Sequence, residues 1–346
     1  MSTAAQQLHA GQRLQQLPLV TLYLTERCNS RCVTCDYWRT GRADVSLDSV
    51  RRLVPSLTAL QTRMALISGG EPLIHPEWPE IAQLLRASGL QLWLLTSGLS
   101  LVKHARRAAQ LFDAITVSLD GTDGPTYAAI RGLDAFDNVC AGVEACAEAG
   151  VRAGLRVTLQ RSNFRQLPQF IDLARQLRAR QVSFLAVDVA NPHAFGRTED
   201  FSAGLALGGE DLGELERILS RVEHDYEADF RSGFIAESPR KLRQIHQYFA
   251  AVCGQAAYPP VRCNAPEVSA VIDAKGQVSP CFFIPGPADA RWRTDLADVL
   301  NADSMVSLRQ DIRAGTRPEC ARCVCSLWRE PESLGVPQPL PVATYG

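Results

Sequence analysis

The chain has 346 residues, and its 36 lysine or arginine residues nearly balance its 37 aspartate or glutamate residues, which leaves a formal charge of −1. This balance excludes a general attraction to phosphate polymers or acidic membranes, so we expect no nucleic-acid and no membrane partner. No apolar run reaches the roughly 18 residues of a membrane span, and the N-terminus lacks the apolar core of a signal peptide, so we expect a cytoplasmic protein. The eleven cysteines are too few for a disulfide scaffold and occur in clumps, which favours metal ligands.

Strands and helices alternate over the first half of the chain. Ser46 is suited to begin the first long helix, and Gly89 is suited to end the second. Alternation at this spacing predicts a parallel α/β sheet built from right-handed units, either a partial (β/α)6 barrel or a doubly wound sheet, with ligands at the carboxyl ends of the strands. Strands are predicted at 19–24, 63–68, 90–96, 113–119, 152–160 and 182–187, and helices at 47–60, 76–89, 101–112, 135–149 and 164–179.

The alternation stops after residue 188, where a polar, glycine-rich stretch is followed by predicted helices at about 210–229 and 238–252. Further on, residues 268–283 are typical of a β-hairpin with its turn at Lys275-Gly276, and a helix is predicted near 301–313. We therefore divide the chain into an N-terminal tail (1–17), a barrel (18–190), a linker with helices that cap the barrel mouth (191–254), a small C-terminal domain (255–330) and a proline-rich tail (331–346).

Three cysteines, Cys28, Cys32 and Cys35, follow the first predicted strand directly. Iron–sulfur clusters normally take four cysteine ligands, so three local ligands leave one iron open, and open coordination usually indicates reactivity. The alternative is a structural zinc site completed by a distant residue such as His75, in a non-catalytic structural or regulatory protein.

The segment LTERCNSRCVTCDYW resembles the radical S-adenosylmethionine (SAM) superfamily. In that family the three cysteines hold a 4Fe–4S cluster whose fourth iron binds SAM. An electron from the cluster cleaves SAM into methionine and a 5′-deoxyadenosyl radical, which abstracts a hydrogen atom from the substrate. The resemblance extends to the segment after the second strand, which matches the family's motif for the SAM amino group and implies that role for Gly69, Gly70 and Glu71.

A further resemblance lies after the fourth predicted strand, in Ser118-Leu119-Asp120-Gly121 and the later Arg131-Gly132. Family members with extra clusters carry a similar segment, which makes Ser118, Asp120 and Arg131 candidates for binding the ribose and the carboxylate of SAM. The chemistry agrees, because a hydroxyl and a carboxylate suit ribose hydroxyls and a guanidinium suits a carboxylate.

A second group of cysteines lies in the C-terminal region. Two from a hairpin and two from a C-x2-C motif would close a tetrahedral site, and spacing alone does not separate zinc from iron–sulfur. The block resembles the SPASM/twitch extension of radical SAM enzymes, which carries auxiliary 4Fe–4S clusters. A full SPASM domain has seven cysteines, whereas no cysteine follows Cys325 here, so one auxiliary cluster is expected. Its expected ligands are Cys263, Cys281, Cys320 and Cys323, while Cys325 and Cys253 stay open as substitutes.

The resemblance implies an oxidoreductase-type radical SAM enzyme that abstracts a hydrogen atom from a natural-product small molecule or a peptide, for oxidation or another modification. Its cofactors would be SAM, the SAM-binding 4Fe–4S cluster and one auxiliary 4Fe–4S cluster that accepts or relays electrons. An external reductant such as flavodoxin or ferredoxin would supply the electron. Cys140 and Cys146 lie in a predicted helix and are expected to pack as small apolar residues.

Overall fold

The computed structural model describes residues 13–191, 194–197 and 204–329. Its centre is one eight-stranded sheet in the order β6-β5-β4-β3-β2-β1-β7-β8, in which only the β7–β8 pair is antiparallel. The parallel α/β sheet that the sequence predicts is confirmed. The strands are β1 (Leu19–Thr25), β2 (Met64–Gly69), β3 (Gln91–Thr96), β4 (Ala114–Ser118), β5 (Gly154–Leu159), β6 (Val182–Ala186), β7 (Ser269–Ile272) and β8 (Val278–Ser279).

Helices connect the parallel strands, as right-handed crossovers require. The side chain of Ser46 accepts a hydrogen bond from the Ser49 N–H, which confirms the predicted helix start. The helices are α1 (Tyr37–Thr40), α2 (Leu47–Ala59), α3 (Trp78–Ala87), α4 (Leu101–Leu111), α5 (Gly124–Arg131), α6 (Phe136–Glu148), α7 (Leu167–Gln176), α8 (Gly209–Asp225), α9 (Glu227–Ser232), α10 (Pro239–Val252), α11 (Ala265–Val268), α12 (Leu296–Leu300), α13 (Asp303–Arg313) and α14 (Pro318–Ala321).

The two faces of the sheet lie in different environments. Successive side chains of a strand point to opposite faces, so alternate residues share an environment. In β1, Leu19, Thr21 and Tyr23 line an internal cavity. The intervening residues Val20, Leu22 and Leu24 belong to the hydrophobic core. The sheet thus buries one face in the core and presents the other to a cavity.

The C-terminal hairpin continues this sheet. Strand β7 pairs in parallel with β1, with Leu19 opposite Ser269, and β8 closes the predicted hairpin against β7. Gly276 in the hairpin turn has φ +81°, a conformation that glycine adopts without strain. The Lys275 ammonium lies 2.7 Å from a Glu26 carboxylate oxygen, just before the first cysteine group. The region predicted as a separate domain from residue 255 therefore shares both its sheet and an ion pair with the barrel.

Helices α8 and α10 pack against each other beside β6 and do not cover the cavity. The N–H of Val182 donates to the carbonyl oxygen of Phe234, and the N–H of Ala236 donates to that of Val182, so this segment extends the β6 edge. Among the described residues of the predicted capping segment 191–254, only Phe195 and Arg197 line the cavity. Within the described ranges, the loop that carries Phe195 and Arg197 is therefore the only part of the predicted cap that reaches the cavity.

Part of the predicted N-terminal tail packs on the fold. Leu17 is fully buried, and the main chain of Leu14 exchanges hydrogen bonds of 2.8 and 3.0 Å with the side-chain amide of Asn301. Residues 1–12 and the proline-rich tail from residue 330 lie outside the described residues. None of the described helices is long and apolar enough to cross a membrane.

A buried carboxyl group lies behind β6. Glu237 accepts hydrogen bonds from the Ser183 hydroxyl at 3.0 Å and the Phe184 N–H at 2.8 Å. Burial raises its pKa from the ordinary 4.5 to about 7, although these hydrogen bonds and the nearby Arg156 guanidinium oppose the rise. The folded state holds this proton more tightly than the unfolded state. Protonation of Glu237 therefore contributes to folding stability in full below pH 4.5, and this contribution is lost as the pH rises to about 7.

Replacing Glu237 with glutamine should therefore flatten the pH dependence of folding stability. The variant's free energy of unfolding, relative to that of the unmodified protein, is expected to rise by about 3 kcal/mol between pH 4.5 and pH 8. Urea unfolding across this range measures the difference. Glu227→Gln is the control, because that side chain is 70% exposed. Parallel pH profiles for Glu237→Gln and the unmodified protein would contradict the raised pKa.

Candidate functional site

A cavity of about 370 Å³ lies on the inner face of the sheet and reaches the carboxyl ends of its strands. Both cysteine groups line it, although they are separated by more than 200 residues in the chain. Its size is within the range of small-molecule sites. The cysteines that line it are Cys28, Cys32, Cys35, Cys263, Cys281, Cys320, Cys323 and Cys325.

The first cysteine group is held in place by glycines that allow close backbone contacts. A Cβ atom on Gly70 would lie 2.1 Å from the carbonyl oxygen of Arg27, and one on Gly132 would lie 2.3 Å from that of Arg31. Gly69, with φ +122°, approaches the Thr25 carbonyl oxygen in the same way. The cysteine loop is therefore clamped between the end of β2 and the end of α5, and this explains two of the glycines that the sequence assigned to SAM.

We predict that Gly70→Ala destabilises the fold by about 1–3 kcal/mol, because the added methyl group must displace the backbone beside Cys28. Iron content after anaerobic reconstitution should fall as well. Thermal unfolding and iron analysis measure the two effects. Gly213→Ala in α8 is the matched control, since its Cβ meets nothing within 4 Å and alanine favours a helix by about 0.5–1 kcal/mol. Equal stability losses in both variants would contradict the clamp.

Two thiols of this group, those of Cys28 and Cys35, are protonated at neutral pH when no metal is bound. Burial raises the pKa of Cys28 to about 11 and that of Cys35 to about 12. The Cys35 thiol donates to the carbonyl oxygen of Phe195 at 3.4 Å. Since iron binds thiolate, metal loading must displace these protons.

Two of the predicted SAM-binding residues form a largely buried ion pair at the cavity wall. The Arg131 guanidinium lies 3.0 Å from a carboxylate oxygen of Asp120, whose other oxygen accepts the Thr158 N–H at 2.7 Å. Burial alone would lower the pKa of Arg131, but the Cys32 thiol and Asp120 outweigh it and raise that pKa. Ser118 lines the cavity as well. A fixed positive charge thus lies beside the first cysteine group.

Glu71 does not line the cavity, unlike Gly69 and Gly70. It is fully buried, and its carboxylate accepts hydrogen bonds from the Leu73 N–H, the Thr96 hydroxyl and the Ser97 N–H. These bonds tie the turn after β2 to the end of β3. The sequence suggests that Glu71 accepts a hydrogen bond from the SAM amino group. In this structure, its carboxylate instead accepts hydrogen bonds from groups of the protein itself.

His75 does not reach a cysteine group. Its Nε2 lies 2.8 Å from the Val45 carbonyl oxygen, and its Nδ1 accepts the Glu77 N–H at 3.1 Å. Because both ring nitrogens are engaged, His75 is a structural histidine. The zinc alternative loses the ligand that the sequence suggested for it.

The second cysteine group is assembled by a clasp between distant segments. The side-chain amide of Asn264 donates to the Arg329 carbonyl oxygen at 2.7 Å and accepts the Arg329 N–H at 2.9 Å. The Leu327 N–H points to the Cys263 sulfur at 3.5 Å. This clasp brings the hairpin side of the group next to the C-x2-C side. Burial raises the pKa of Cys281 to about 12, with further increases from neighbouring thiols.

The structure places Cys325 and Cys253, the two possible substitute ligands of the auxiliary cluster, in different surroundings. Cys325 lines the cavity, and its N–H points to the Cys323 sulfur at 3.3 Å. Cys253 does not line the cavity, and its thiol donates to the Leu207 carbonyl oxygen at 3.3 Å. Cys325 therefore remains a candidate ligand, whereas Cys253 does not.

Two aromatic residues between the two cysteine groups, Tyr23 and Phe282, were not identified from the sequence. Tyr23 packs edge-on against Tyr37 at 6.0 Å and stacks with Phe282 at 6.5 Å, measured between ring centroids. Burial raises the pKa of Tyr23, and the thiols of Cys35 and Cys281 contribute, so this ring lies between the groups. The sequence does contain a signal for the position of Tyr23. Because alternate residues of a strand lie on the same face, Tyr23 shares the face of Leu19 and Thr21 in β1.

Asp188 and Arg197 also line the cavity and were missed. Both side chains are at most 4% exposed and lie 3.7 Å apart. Asp188 follows the carboxyl end of β6 by two residues, and that position was the available signal. Arg197 follows in a loop with no periodic pattern, so nothing local indicated it.

The donor set consists of two groups of cysteine thiols that line one cavity, and cysteine thiolates are the usual ligands of iron–sulfur clusters. Across residues 13–191, 194–197 and 204–329, no three histidine, cysteine, aspartate or glutamate side chains are placed to hold a single metal ion. The cavity between the groups offers the Arg131 guanidinium for a ligand carboxylate and aromatic walls for an apolar part.

Known proteins are similar to this chain over much of its length. The Radical SAM superfamily profile matches residues 22–174. A GTP 3′,8-cyclase from Klebsiella pneumoniae is 32% identical over 283 residues, 78% of this chain and 81% of that protein. The Fe-coproporphyrin III synthase of Methanosarcina barkeri is 28% identical over 219 residues, 62% of this chain. The chain spans about half the length of that synthase, 53%.

Among solved structures, Streptococcus suis SuiB bound to S-adenosylmethionine matches with a TM-score of 0.66 at 15% identity. The alignment covers 93% of this chain and 76% of SuiB. At this identity the likeness demonstrates a shared fold.

Proposed function

The chain belongs to the radical SAM superfamily, and from that premise we propose that it cleaves SAM reductively and oxidises a small molecule or a peptide side chain held in the central cavity. The observation that carries the proposal is that both cysteine groups line this one cavity. A substrate between them would meet the hydrogen-abstracting side and the electron-accepting side without leaving the site.

The proposed ligand sets are drawn from the cysteines that line the cavity. Cys28, Cys32 and Cys35 would hold the cluster that binds SAM. The auxiliary cluster would be held by Cys263, Cys281, Cys320 and Cys323, with Cys325 next to them. When bound, SAM and the first cluster supply hydrogen-atom abstraction, and the auxiliary cluster supplies an acceptor for one electron.

The chain's own residues would orient SAM and exclude water. Arg131 offers a guanidinium to the SAM carboxylate, and Asp120 holds that guanidinium in position from 3.0 Å. Ser118 and the backbone at Gly69 and Gly70 line the cavity and are proposed to contact the ribose and the amino group. For Glu71 we propose a positioning role, which is supported by the hydrogen bond that its carboxylate accepts from the Ser97 N–H at the end of β3.

An external one-electron donor such as flavodoxin or ferredoxin is part of this proposal, because reductive cleavage consumes an electron. A cytoplasmic location is proposed with it, since cysteines that serve as iron ligands must stay reduced.

Deuterium transfer tests the function directly. The loaded protein would be incubated with SAM, a reductant and deuterated candidates of three classes: a nucleoside triphosphate, a tetrapyrrole and a peptide. The names of the compared proteins suggest these classes, since they include a GTP 3′,8-cyclase, an Fe-coproporphyrin III synthase and a SuiB bound to its precursor peptide. We expect deuterium in 5′-deoxyadenosine from one class. Stoichiometric zinc, no iron–sulfur absorption and no SAM cleavage would favour the non-catalytic zinc alternative instead.

A further inference from the structure

The outer side of the first cysteine loop carries a second cavity, of about 630 Å³, which opens at the protein surface. Cys28 lines both this surface cavity and the internal one. This thiol is therefore the point where the first cysteine group comes nearest to a surface depression. We call the surrounding surface the basic face, and it consists of Arg31, Val33, Trp38, Arg39 and Arg42.

The basic face is positive because the acidic side chains of the same segment point inward. Between residues 26 and 42, the two carboxylates, Glu26 and Asp36, are only 9% and 1% exposed. Arg31, Arg39 and Arg42 are exposed. The chain as a whole has a formal charge of −1, so this concentration of positive charge is local.

Two of these arginines have no acidic partner among the residues that the structure describes. Within the described ranges, neither Arg31 nor Arg42 forms an ion pair, and the Arg42 guanidinium donates to the carbonyl oxygens of Gly41 and Arg39. Arg39 differs, because it lies 3.0 Å from the buried Asp36 carboxylate. An anionic partner would therefore find two guanidinium groups with no acidic competitor.

The basic face also has an apolar component. Val33 is 37% exposed in the loop between Cys32 and Cys35. The half-buried indole of Trp38 donates to the Cys32 carbonyl oxygen, and the Arg39 guanidinium lies 4.8 Å from the indole centroid. Tryptophan and arginine side chains are enriched among the residues that dominate protein–protein binding energy. An apolar centre with a positive rim suits a folded acidic protein better than a nucleic acid.

We propose that the basic face is the docking surface for an acidic one-electron carrier protein, of the flavodoxin or ferredoxin kind. The inference rests on the proposed function, because that function requires an electron that the chain does not generate. The reduced carrier loses one electron and the three-cysteine cluster gains one, with no bond formed or broken. Charge complementarity would accelerate the encounter and make it sensitive to ionic strength.

The test compares Arg31→Glu/Arg42→Glu with Arg217→Glu. Arg217 is a matched control because it is exposed on α8, donates to the Gly213 carbonyl oxygen much as Arg42 donates to Gly41, and lines neither cavity. Binding of oxidised flavodoxin is measured at low and high salt, on both cluster-free and loaded protein. We expect the double variant to lose at least about tenfold in affinity at low salt and to lose most of its salt dependence. The control should bind like the unmodified protein.

A second readout separates docking from chemistry. Dithionite, a small reductant, needs no docking surface, so dithionite-driven SAM cleavage should be unchanged in the double variant while flavodoxin-driven cleavage falls. If the unmodified protein cleaves no SAM with dithionite, the proposed function fails, and the binding measurements still decide the docking question. Unchanged flavodoxin affinity in the double variant would overturn the proposal, as would a single-stranded oligonucleotide that binds more tightly than flavodoxin at equal salt. If the charge reversal prevents folding, Arg31→Gln/Arg42→Gln replaces it.

Discussion

Alanine at Cys28, Cys32 or Cys35 is expected to abolish the formation of 5′-deoxyadenosine from SAM. Each thiol lines the internal cavity, and the chain has no fourth cysteine nearby that could replace a lost ligand. Loss of a residue that merely supports a metal ligand typically costs about 10–100-fold in metal affinity or activity. Loss of a direct ligand should exceed that, so we expect a decrease of at least about 100-fold.

The measurement is chromatographic detection of 5′-deoxyadenosine after anaerobic reconstitution, together with iron analysis. Cys140→Ala is the matched control, because Cys140 is half-buried in α6 and does not line the cavity. Its activity should stay close to that of the unmodified protein. Continued SAM cleavage in any of the three variants would refute the assignment of the first cysteine group.

The sequence predicts the barrel well because its signal is local. The apolar stretch of β1 is predicted at 19–24 and observed at Leu19–Thr25, and the helix predicted at 47–60 is observed at Leu47–Ala59. Helix α5 was missed, although its start carries the ordinary signals. Asp123 accepts the Thr126 N–H, and a proline stands in the first turn.

The sequence contains no comparable signal for the pairing of strands that lie far apart in the chain. The contact between β1 and β7 joins residues about 250 positions apart, and a buried apolar strand does not specify its partner. The hairpin was therefore predicted correctly, but its place in the sheet was not. The clasp between Asn264 and Arg329 has the same character, because it depends on tertiary packing.

Residue type also does not determine where a side chain points. Glu71 lies beside two cavity-lining glycines, yet its carboxylate caps backbone and hydroxyl donors inside the protein. The sequence offered Cys253 and Cys325 equally as substitute ligands. Only the folded chain distinguishes them, because α10 carries Cys253 to the Leu207 carbonyl oxygen.

Cys281→Ala is expected to leave SAM cleavage measurable while blocking formation of the final product. Cys281 lies in the second group, so the first group keeps its three thiols and the neighbouring Arg131 guanidinium. Iron content should fall by about half if the chain holds one cluster of each kind. Product formation should stop, because the substrate would lose its nearby electron acceptor while hydrogen abstraction continues.

The readouts are iron per chain, 5′-deoxyadenosine and product, all from one reaction mixture. Cys253→Ala is the matched control, since its thiol is directed to Leu207 and lies away from the cavity. It should retain both the iron and the product yield. A Cys281→Ala variant with full product yield would exclude an electron-accepting role for the second group. A variant that loses SAM cleavage entirely would instead mean that the second group supports the fold around the first, through contacts such as the one between Lys275 and Glu26.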